Sequence, residues 1–149
     1  MSKQLTLAEL EGAAGLELEP SDWVTIEQRA IEQFADATGD HQWIHVDPEK
    51  AAQGPFGMTV AHGYLSLALL PGLLATMLRV TDATMGVNYG IEKVRFTAPV
   101  PSGSRVRLKG TITSAEKRGE GVLYHVAAEV EIEGSEKPAM VGEVVYLVF

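Results

Sequence analysis

Cysteine is absent from the 149-residue sequence. Its absence excludes disulfide bonds, thiolate nucleophiles, iron–sulfur clusters and zinc sites built on cysteine. Positive charge is scarce as well, since 12 lysines and arginines face 20 aspartates and glutamates, which gives a formal net charge of −8. A broad nucleic-acid interface needs clustered lysines and arginines, and we therefore expect no nucleic-acid partner. The chemistry of the protein is left to Asp, Glu, His, Ser, Tyr and backbone groups.

The sequence also lacks a long apolar run. Acidic residues interrupt the N-terminal segment MSKQLTLAELEGAAG, where a signal peptide needs an unbroken apolar core. The longest uncharged segment, residues 64–78, is shorter than the roughly 20 residues of a membrane span, and Pro71-Gly72 interrupts it. We therefore expect a soluble, cytoplasmic protein without a membrane span. The length and the absence of repeats and linkers predict a single domain over residues 1–149.

Capping signals predict a first helix. Thr25 and Gln28 have the spacing of a capping box, in which each side chain bonds the backbone N–H of the other residue. Gly39 is placed to end the helix, because glycine readily adopts the left-handed conformation that follows many helices. The signals together predict a helix over about residues 26–38.

Two further helices are predicted. Asp47 and Pro48 are suited to the N-cap and first turn of a short helix that runs through Ala52. The uncharged segment predicts a long buried helix that begins near Gly63 and bends at Pro71.

The second half of the chain changes to a period of two, which is typical of β-strands. Apolar and charged residues alternate over residues 105–112 and 122–132, and residues 139–149 are apolar on both faces, as in a central strand. Residues 87–96 alternate too, with a change of parity near residues 92–93 that predicts a β-bulge. We therefore predict an α+β fold in which an antiparallel sheet of about five strands wraps around the long apolar helix. That helix is apolar nearly all round, so a second copy of the chain is expected to cover what one sheet cannot.

Residues 39–47 form the densest polar cluster. Within it Asp40 and His45 lie five residues apart in a predicted loop, beside Trp43 and Ile44. A carboxylate and an imidazole that reach the same water can activate it and move its proton. The alternative is structural, with an aspartate that caps a helix and a histidine that bonds the backbone. The residue pattern alone leaves both interpretations open.

Other catalytic motifs are weak or missing. His41 and His45 have the spacing of the zinc motif H-E-x-x-H, but Gln42 replaces its glutamate and the segment is predicted to be a loop rather than a helix. We therefore predict no metal. Ser66 lies outside a G-x-S-x-G motif and is expected to bond its own helical turn. No phosphate-binding glycine motif is present.

Ala61-His62-Gly63 precedes the long apolar helix. The first amides of a helix have no partner within it, and glycine lets a ligand approach the backbone closely. Such amides can hold a carbonyl oxygen that becomes negative during a reaction. The alternative is that Gly63 merely starts the helix and His62 caps it.

Two segments together resemble the MaoC-like, or (R)-specific enoyl-CoA hydratase (hydratase 2), family of hot-dog-fold proteins. The family pattern G-D-x-N-P-[LIV]-H-x-[DN] corresponds to FADATGDHQWIHVD (34–47), and the later [VA]-H-G corresponds to TVAHGYLSLALL (59–70). VRFTAPVPSGSRVR (94–107) also resembles the strand–turn–strand that follows the central helix in the family. The resemblance covers most of residues 22–149 and implies a hot-dog fold.

The resemblance implies roles for individual residues. Asp40 and His45 would be the catalytic dyad that holds a water for addition to a trans-2-enoyl thioester. The Gly63 amide would bind the thioester carbonyl, and His62 is expected with it among the residues that bind substrate at this oxyanion site. The family's Asn-Pro is replaced here by Gln42-Trp43. These two residues are therefore expected at the substrate site, and they leave the loop shape and the chain-length preference open.

The resemblance also implies partners. They are a coenzyme A or acyl-carrier-protein thioester as substrate and a second copy of the chain in a homodimer, without a cofactor or metal. Contacts to coenzyme A phosphates would need cations, and the candidates are Lys93, Arg95, Arg105 and Arg107. Two other functions remain open, a hot-dog acyl-CoA thioesterase and a non-catalytic protein that binds acyl thioesters.

Overall fold

The computed structural model describes residues 1–149. In chain order its elements are β1 (Lys3–Leu5), α1 (Leu7–Glu11), β2 (Glu17–Leu18), β3 (Val24–Thr25), α2 (Gln28–Thr38), α3 (Trp43–Val46), α4 (Pro48–Ala52), α5 (Gly63–Ala68), α6 (Leu70–Met77), β4 (Leu78–Val80), β5 (Gly86–Phe96), β6 (Arg105–Arg118), β7 (Gly121–Ile132) and β8 (Met140–Val148).

One antiparallel sheet organises the molecule. The long strands β6, β7 and β8 form a meander, and β5 pairs with the far side of β8, so the order is β6-β7-β8-β5. The two-residue strands β2 and β3 both pair with the outer side of β6. The sheet thus has six strands, four of them long, in agreement with the predicted antiparallel α+β architecture. A separate parallel pair joins β1 to β4.

The core lies between one face of this sheet and the apolar helices. Alternate residues in the first half of β6 and the second half of β7 are buried there, as the period of two predicted. They belong to the same core cluster as Leu70, Leu73 and Leu74 of α6. The strand β8 lies between β7 and β5, as predicted for a central strand.

The predicted bulge in β5 is confirmed. Its pairing with β8 shifts register between Glu92 and Arg95, and Lys93 adopts a left-handed φ of 51°. A second shift near Gly90 was not predicted. Gly142 makes room for the bulge, since a Cβ at this position would lie 2.7 Å from the Val94 side chain.

The long apolar helix begins at Gly63 as predicted, and it is interrupted at one residue, Leu69, which itself keeps a right-handed helical conformation. Leu69 ends α5 and begins α6, and Pro71 occupies the first turn of α6. Proline lacks an N–H and its ring clashes with the carbonyl of the residue four positions earlier, so the helix breaks ahead of it. No helix is long and apolar enough to cross a membrane.

The capping-box prediction for α2 is wrong. Thr25 belongs to β3 and pairs with Arg105, so that Glu27 becomes the N-cap and makes no side-chain cap. The Gln28 side chain bonds His45 and Thr59 instead. The other end of α2 is as predicted, because Gly39 terminates it with a left-handed φ of 83°.

The region after Gly39 also differs in detail. Residues 43–46 form the short helix α3 where a loop was predicted. Asp47 caps the next helix, as predicted, by accepting a hydrogen bond from the Lys50 N–H at 3.0 Å.

Candidate active site

Asp40 follows directly on the left-handed Gly39 that ends α2. Its carboxylate Oδ1 accepts a hydrogen bond from the Gln42 N–H at 3.3 Å, which stabilises the turn leading into α3. The residue is otherwise exposed. The backbone thus holds a charged carboxylate at the turn between two helices.

His45 lies on α3 and is buried, with 7% of its surface exposed. Its Nδ1 is 2.7 Å from the Val60 carbonyl oxygen. A carbonyl oxygen can only accept, so the proton of the neutral ring is assigned to Nδ1, and Nε2 keeps a free lone pair. His45 therefore has the tautomer that a general base at Nε2 requires.

Gln28 holds the backbone around His45, a role that the sequence did not reveal. Its Nε2 donates to the His45 carbonyl at 2.8 Å, and its Oε1 accepts from the Thr59 hydroxyl at 2.8 Å. The side chain thereby connects α2 to α3 and to the segment that carries Val60. The capping pattern drew attention to this residue but assigned it the wrong partners.

Among the polar residues near Asp40 and His45, His62 is the most buried, with 2% of its surface exposed. Its ring stacks on the His45 ring with a centroid separation of 3.8 Å. Its Nε2 lies 2.9 Å from the Asp40 carbonyl oxygen. His62 is the N-cap residue of α5, as one of the two interpretations had it, but its side chain makes no capping hydrogen bond. A carboxylate oxygen of Asp40, a ring nitrogen of His45 and a ring nitrogen of His62 lie within 4.8 Å of one another.

The arrangement is poorly suited to a metal ion. The His45 and His62 rings are nearly parallel, with an interplanar angle of 23°, so their in-plane lone pairs do not converge on one point. His41, which shares the H-E-x-x-H spacing with His45, pairs with Asp36 at 2.9 Å. The hydrogen bond that His41 donates to the Asp36 carboxylate raises the pKa of His41. The absence of a metal stays a prediction.

Gly63 and His45 line the same cavity, of about 260 Å³, at the start of α5. As the first residue of the helix, Gly63 has an N–H without an intrahelical acceptor. The Phe96 ring packs on its Cα so closely that a Cβ would lie 2.8 Å from ring atoms. Ser66 also lines this cavity, and its hydroxyl makes no hydrogen bond to its own helical turn, contrary to expectation.

The structure does not bring Gln42 and Trp43 into the wall of this cavity. Gln42 is the N-cap of α3 and is exposed. The Trp43 ring packs over Gly54, with the Lys50 ammonium 4.8 Å from its centroid. A direct contact of either residue with substrate stays a prediction.

The four candidate cations fall into two groups. Arg105 and Arg107 are paired across the sheet with Glu133 and Glu131, and the bond from Arg105 lowers the pKa of Glu133. Lys93 and Arg95, on β5, make no ion pair. Arg95 adjoins Phe96, which lines the cavity.

These features define a class of protein. An antiparallel sheet wrapped around an apolar helix is a hot-dog fold. In this chain a carboxylate and an imidazole lie beside the start of that helix.

Comparison with known proteins identifies the family. The family described as MaoC like domain matches residues 9–134. A 3-hydroxyacyl-thioester dehydratase Z from Mycobacterium tuberculosis is 55% identical to this chain, covering 93% of it and 92% of the relative. Nodulation protein N from Rhizobium leguminosarum bv. viciae is 46% identical, covering 92% of the chain and 87% of the relative. The unliganded R-hydratase PhaJ1 from Pseudomonas aeruginosa superposes with a TM-score of 0.76 at 28% identity, covering 96% of this chain and 84% of that one. The chain belongs to the MaoC-like domain family.

Proposed function

We propose that the protein catalyses the (R)-specific hydration of trans-2-enoyl-CoA to (R)-3-hydroxyacyl-CoA and the reverse dehydration. The observation that carries this proposal is the position of His45, which is buried and whose Nδ1 is bonded to Val60, within 4.8 Å of the Asp40 carboxylate. The names of the relatives, a 3-hydroxyacyl-thioester dehydratase and an R-hydratase, support the same reaction class.

The dyad would hold the reacting water between the Asp40 carboxylate and His45 Nε2. As the water oxygen bonds to C3, the π electrons of the C2–C3 double bond move toward the thioester carbonyl. The water loses one proton to the dyad, and the dyad delivers one proton to C2, so that the net change is the addition of H₂O. The division of these two transfers between Asp40 and His45 is left open, because groups sharing one water titrate as a pair.

The Gly63 N–H would hold the thioester carbonyl. Negative charge grows on this oxygen as the double bond is polarised, and a fixed amide donor stabilises that charge more than it stabilises the ground state. The chemistry therefore requires no cofactor besides the coenzyme A or carrier-protein thioester of the substrate itself.

A second copy of the chain would complete the molecule. β5 is the end strand of the sheet, so one of its edges has no partner. Large apolar side chains are exposed on this strand and beside it, namely Tyr64, Val87, Tyr89, Ile91 and Phe96. A long apolar edge is prone to pair with another chain. Pairing of β5 with its copy would give a homodimer and would place the partner next to the Phe96 side of the cavity.

Lys93 and Arg95 are the best placed of the four cations for coenzyme A phosphates. They carry no competing carboxylate, whereas Arg105 and Arg107 are already neutralised by glutamates. The overall charge of −8 makes such local cations necessary for a polyanionic substrate.

The function is tested by mixing the protein with crotonyl-CoA and longer enoyl-CoAs and following the loss of the conjugated enoyl absorbance. Asp40→Asn and His45→Asn should each lower the rate by about 100- to 10,000-fold, the usual contribution of an acid–base group. His41→Asn is the matched control, since His41 pairs with Asp36 on the surface, and it should keep the wild-type rate. Wild-type inactivity toward every chain length, or release of free thiol instead, would contradict the proposal.

A further inference from the structure

His62 is a buried titratable group that the mechanism above leaves unused. Its Nδ1 is the one buried side-chain nitrogen or oxygen atom of the structure without a hydrogen-bond partner. An unpaired buried polar atom is unfavourable, and an apolar side chain would fill the same space without that penalty. The presence of a histidine at this position therefore calls for a reason beyond packing.

The bond of His62 to Asp40 determines its tautomer. The Asp40 carbonyl can only accept, so the proton of the neutral ring is assigned to Nε2 and the lone pair to the unpartnered Nδ1. The bond joins residues 22 positions apart and ties the start of α5 to the turn after Gly39. It therefore holds the backbone of Asp40 relative to the helix that carries the Gly63 amide.

The other contact of His62 is with His45. The two rings stack at 3.8 Å, and the Phe34 ring lies against His62 at 4.9 Å on a tilted axis. His45 is held at one nitrogen by Val60, and the stacked His62 ring restricts rotation of its plane. A single side chain thus contacts both members of the dyad.

Resting on the proposed function, we infer that His62 is a positioning residue, which sets the distance and orientation between the Asp40 carboxylate and His45 Nε2. It acts through the Asp40 carbonyl and the His45 ring, and it does not touch the reacting atoms. Displacement of one catalytic group by an ångström can cost about 100-fold in rate, so the loss of this contact is measurable.

Three substitutions distinguish the effect of the His62–Asp40 hydrogen bond from the effect of the space that the His62 side chain fills. In His62→Gln the side-chain amide reaches the place of Nε2 and can donate to the Asp40 carbonyl, whereas the shorter amide of His62→Asn cannot. His62→Phe keeps a stacking ring without a donor. We expect His62→Gln to stay within about threefold of the wild-type kcat, and His62→Asn and His62→Phe to lose about 100-fold in kcat with little change in KM. Equal rates for Gln, Asn and Phe would overturn the inference.

A readout that needs no turnover keeps this test separate from the proposed function. In the ¹⁵N-histidine NMR spectrum of the wild-type protein we expect His62 as the Nε2–H tautomer and His45 as the Nδ1–H tautomer. His62→Gln, which keeps the donor but lacks the ring, should shift or broaden the His45 signal, whereas His62→Phe, which keeps a stacking ring, should leave that signal close to the wild type. A wild-type His62 protonated at Nδ1, or a His45 signal identical in all variants, would overturn the inference whether or not the protein hydrates enoyl-CoA.

Discussion

At the scale of single residues, the site depends on which backbone group each side chain bonds. Val60 offers a carbonyl to His45 Nδ1, and this one acceptor leaves Nε2 available as a base. Gly63 offers an amide, and its missing side chain lets the Phe96 ring pack against the backbone.

Gly63→Ala should lower the hydration rate. Its new Cβ would lie 2.8 Å from the Phe96 ring, so the ring has to move, and it lines the cavity in which the thioester carbonyl would bind. We expect a loss of about 100-fold in kcat/KM, as for the displacement of a catalytic group by about an ångström. Gly72→Ala in α6 is the control, because its Cβ meets no atom within 4 Å, and it should be neutral or slightly stabilising. Equal rates for the two variants would show that the space over Gly63 is unimportant.

The candidate site was partly predictable at this scale. Asp40, His45 and Gly63 could be selected from motif spacing and resemblance, since those residues lie in short continuous segments. The partners of these residues could not. Gln28 reaches His45 across 17 positions, and the Phe96 ring reaches Gly63 from another element, so both contacts depend on tertiary packing. Whether Asp40 and His45 catalyse the reaction stays a prediction.

At the scale of elements, the two edges of β5 differ. One edge pairs with β8, and the other is unpaired and lined with exposed apolar residues. Its sequence pattern predicted the strand and one bulge, because parity changes are visible along the chain. Its position at the end of the sheet could not be predicted, since strand order follows from the packing of all four long strands.

Ile91→Lys should dissociate the proposed homodimer. Ile91 is 53% exposed in the single chain, and a charge there would be buried against its copy if the edges of β5 pair. Sedimentation velocity should show a dimer for the wild type and a monomer for the variant at the same concentration. Gln33→Lys on the exposed face of α2 adds the same charge away from β5 and should remain dimeric. A wild type that sediments as a monomer at all concentrations would contradict the proposal.

At the scale of the whole molecule, the core brings two tyrosines together. Tyr124 and Tyr146 are buried on neighbouring strands with ring centroids 5.6 Å apart. Burial raises the pKa of Tyr146 to about 12, and burial together with the Tyr146 charge raises that of Tyr124. The fold therefore favours the protonated form of both hydroxyl groups.

Stability should consequently decline in alkali. In unfolded chains tyrosine loses its proton near pH 10, whereas folded Tyr146 keeps it to about pH 12. Between these values the unfolded state binds fewer protons, so the free energy of unfolding falls as pH rises, and below pH 10 the contribution is constant. Urea midpoints measured from pH 8 to 11.5 should fall less steeply for Tyr146→Phe than for the wild type. Tyr64→Phe, at a tyrosine that is 68% exposed in the single chain, should follow the wild-type curve. Parallel curves for wild type and Tyr146→Phe would contradict this account.

The architecture was largely predictable because its signals are periodic. The strands of the meander and the apolar segment from Gly63 follow from hydrophobic spacing within each segment. The failures lie where two elements compete for a residue, as at Thr25, which pairs with β6 instead of capping α2. Such competition depends on contacts with distant parts of the chain and is absent from any local window of sequence.

The stereochemistry of the product tests the central claim most directly. Crotonyl-CoA should be incubated with the protein, and the enantiomer of the 3-hydroxybutyryl-CoA formed should be determined by chiral chromatography after hydrolysis of the thioester. Our account predicts the (R) enantiomer, formed by the wild type and lost in Asp40→Asn and His45→Asn. Formation of the (S) enantiomer, or of the (R) enantiomer at an undiminished rate in both variants, would contradict it.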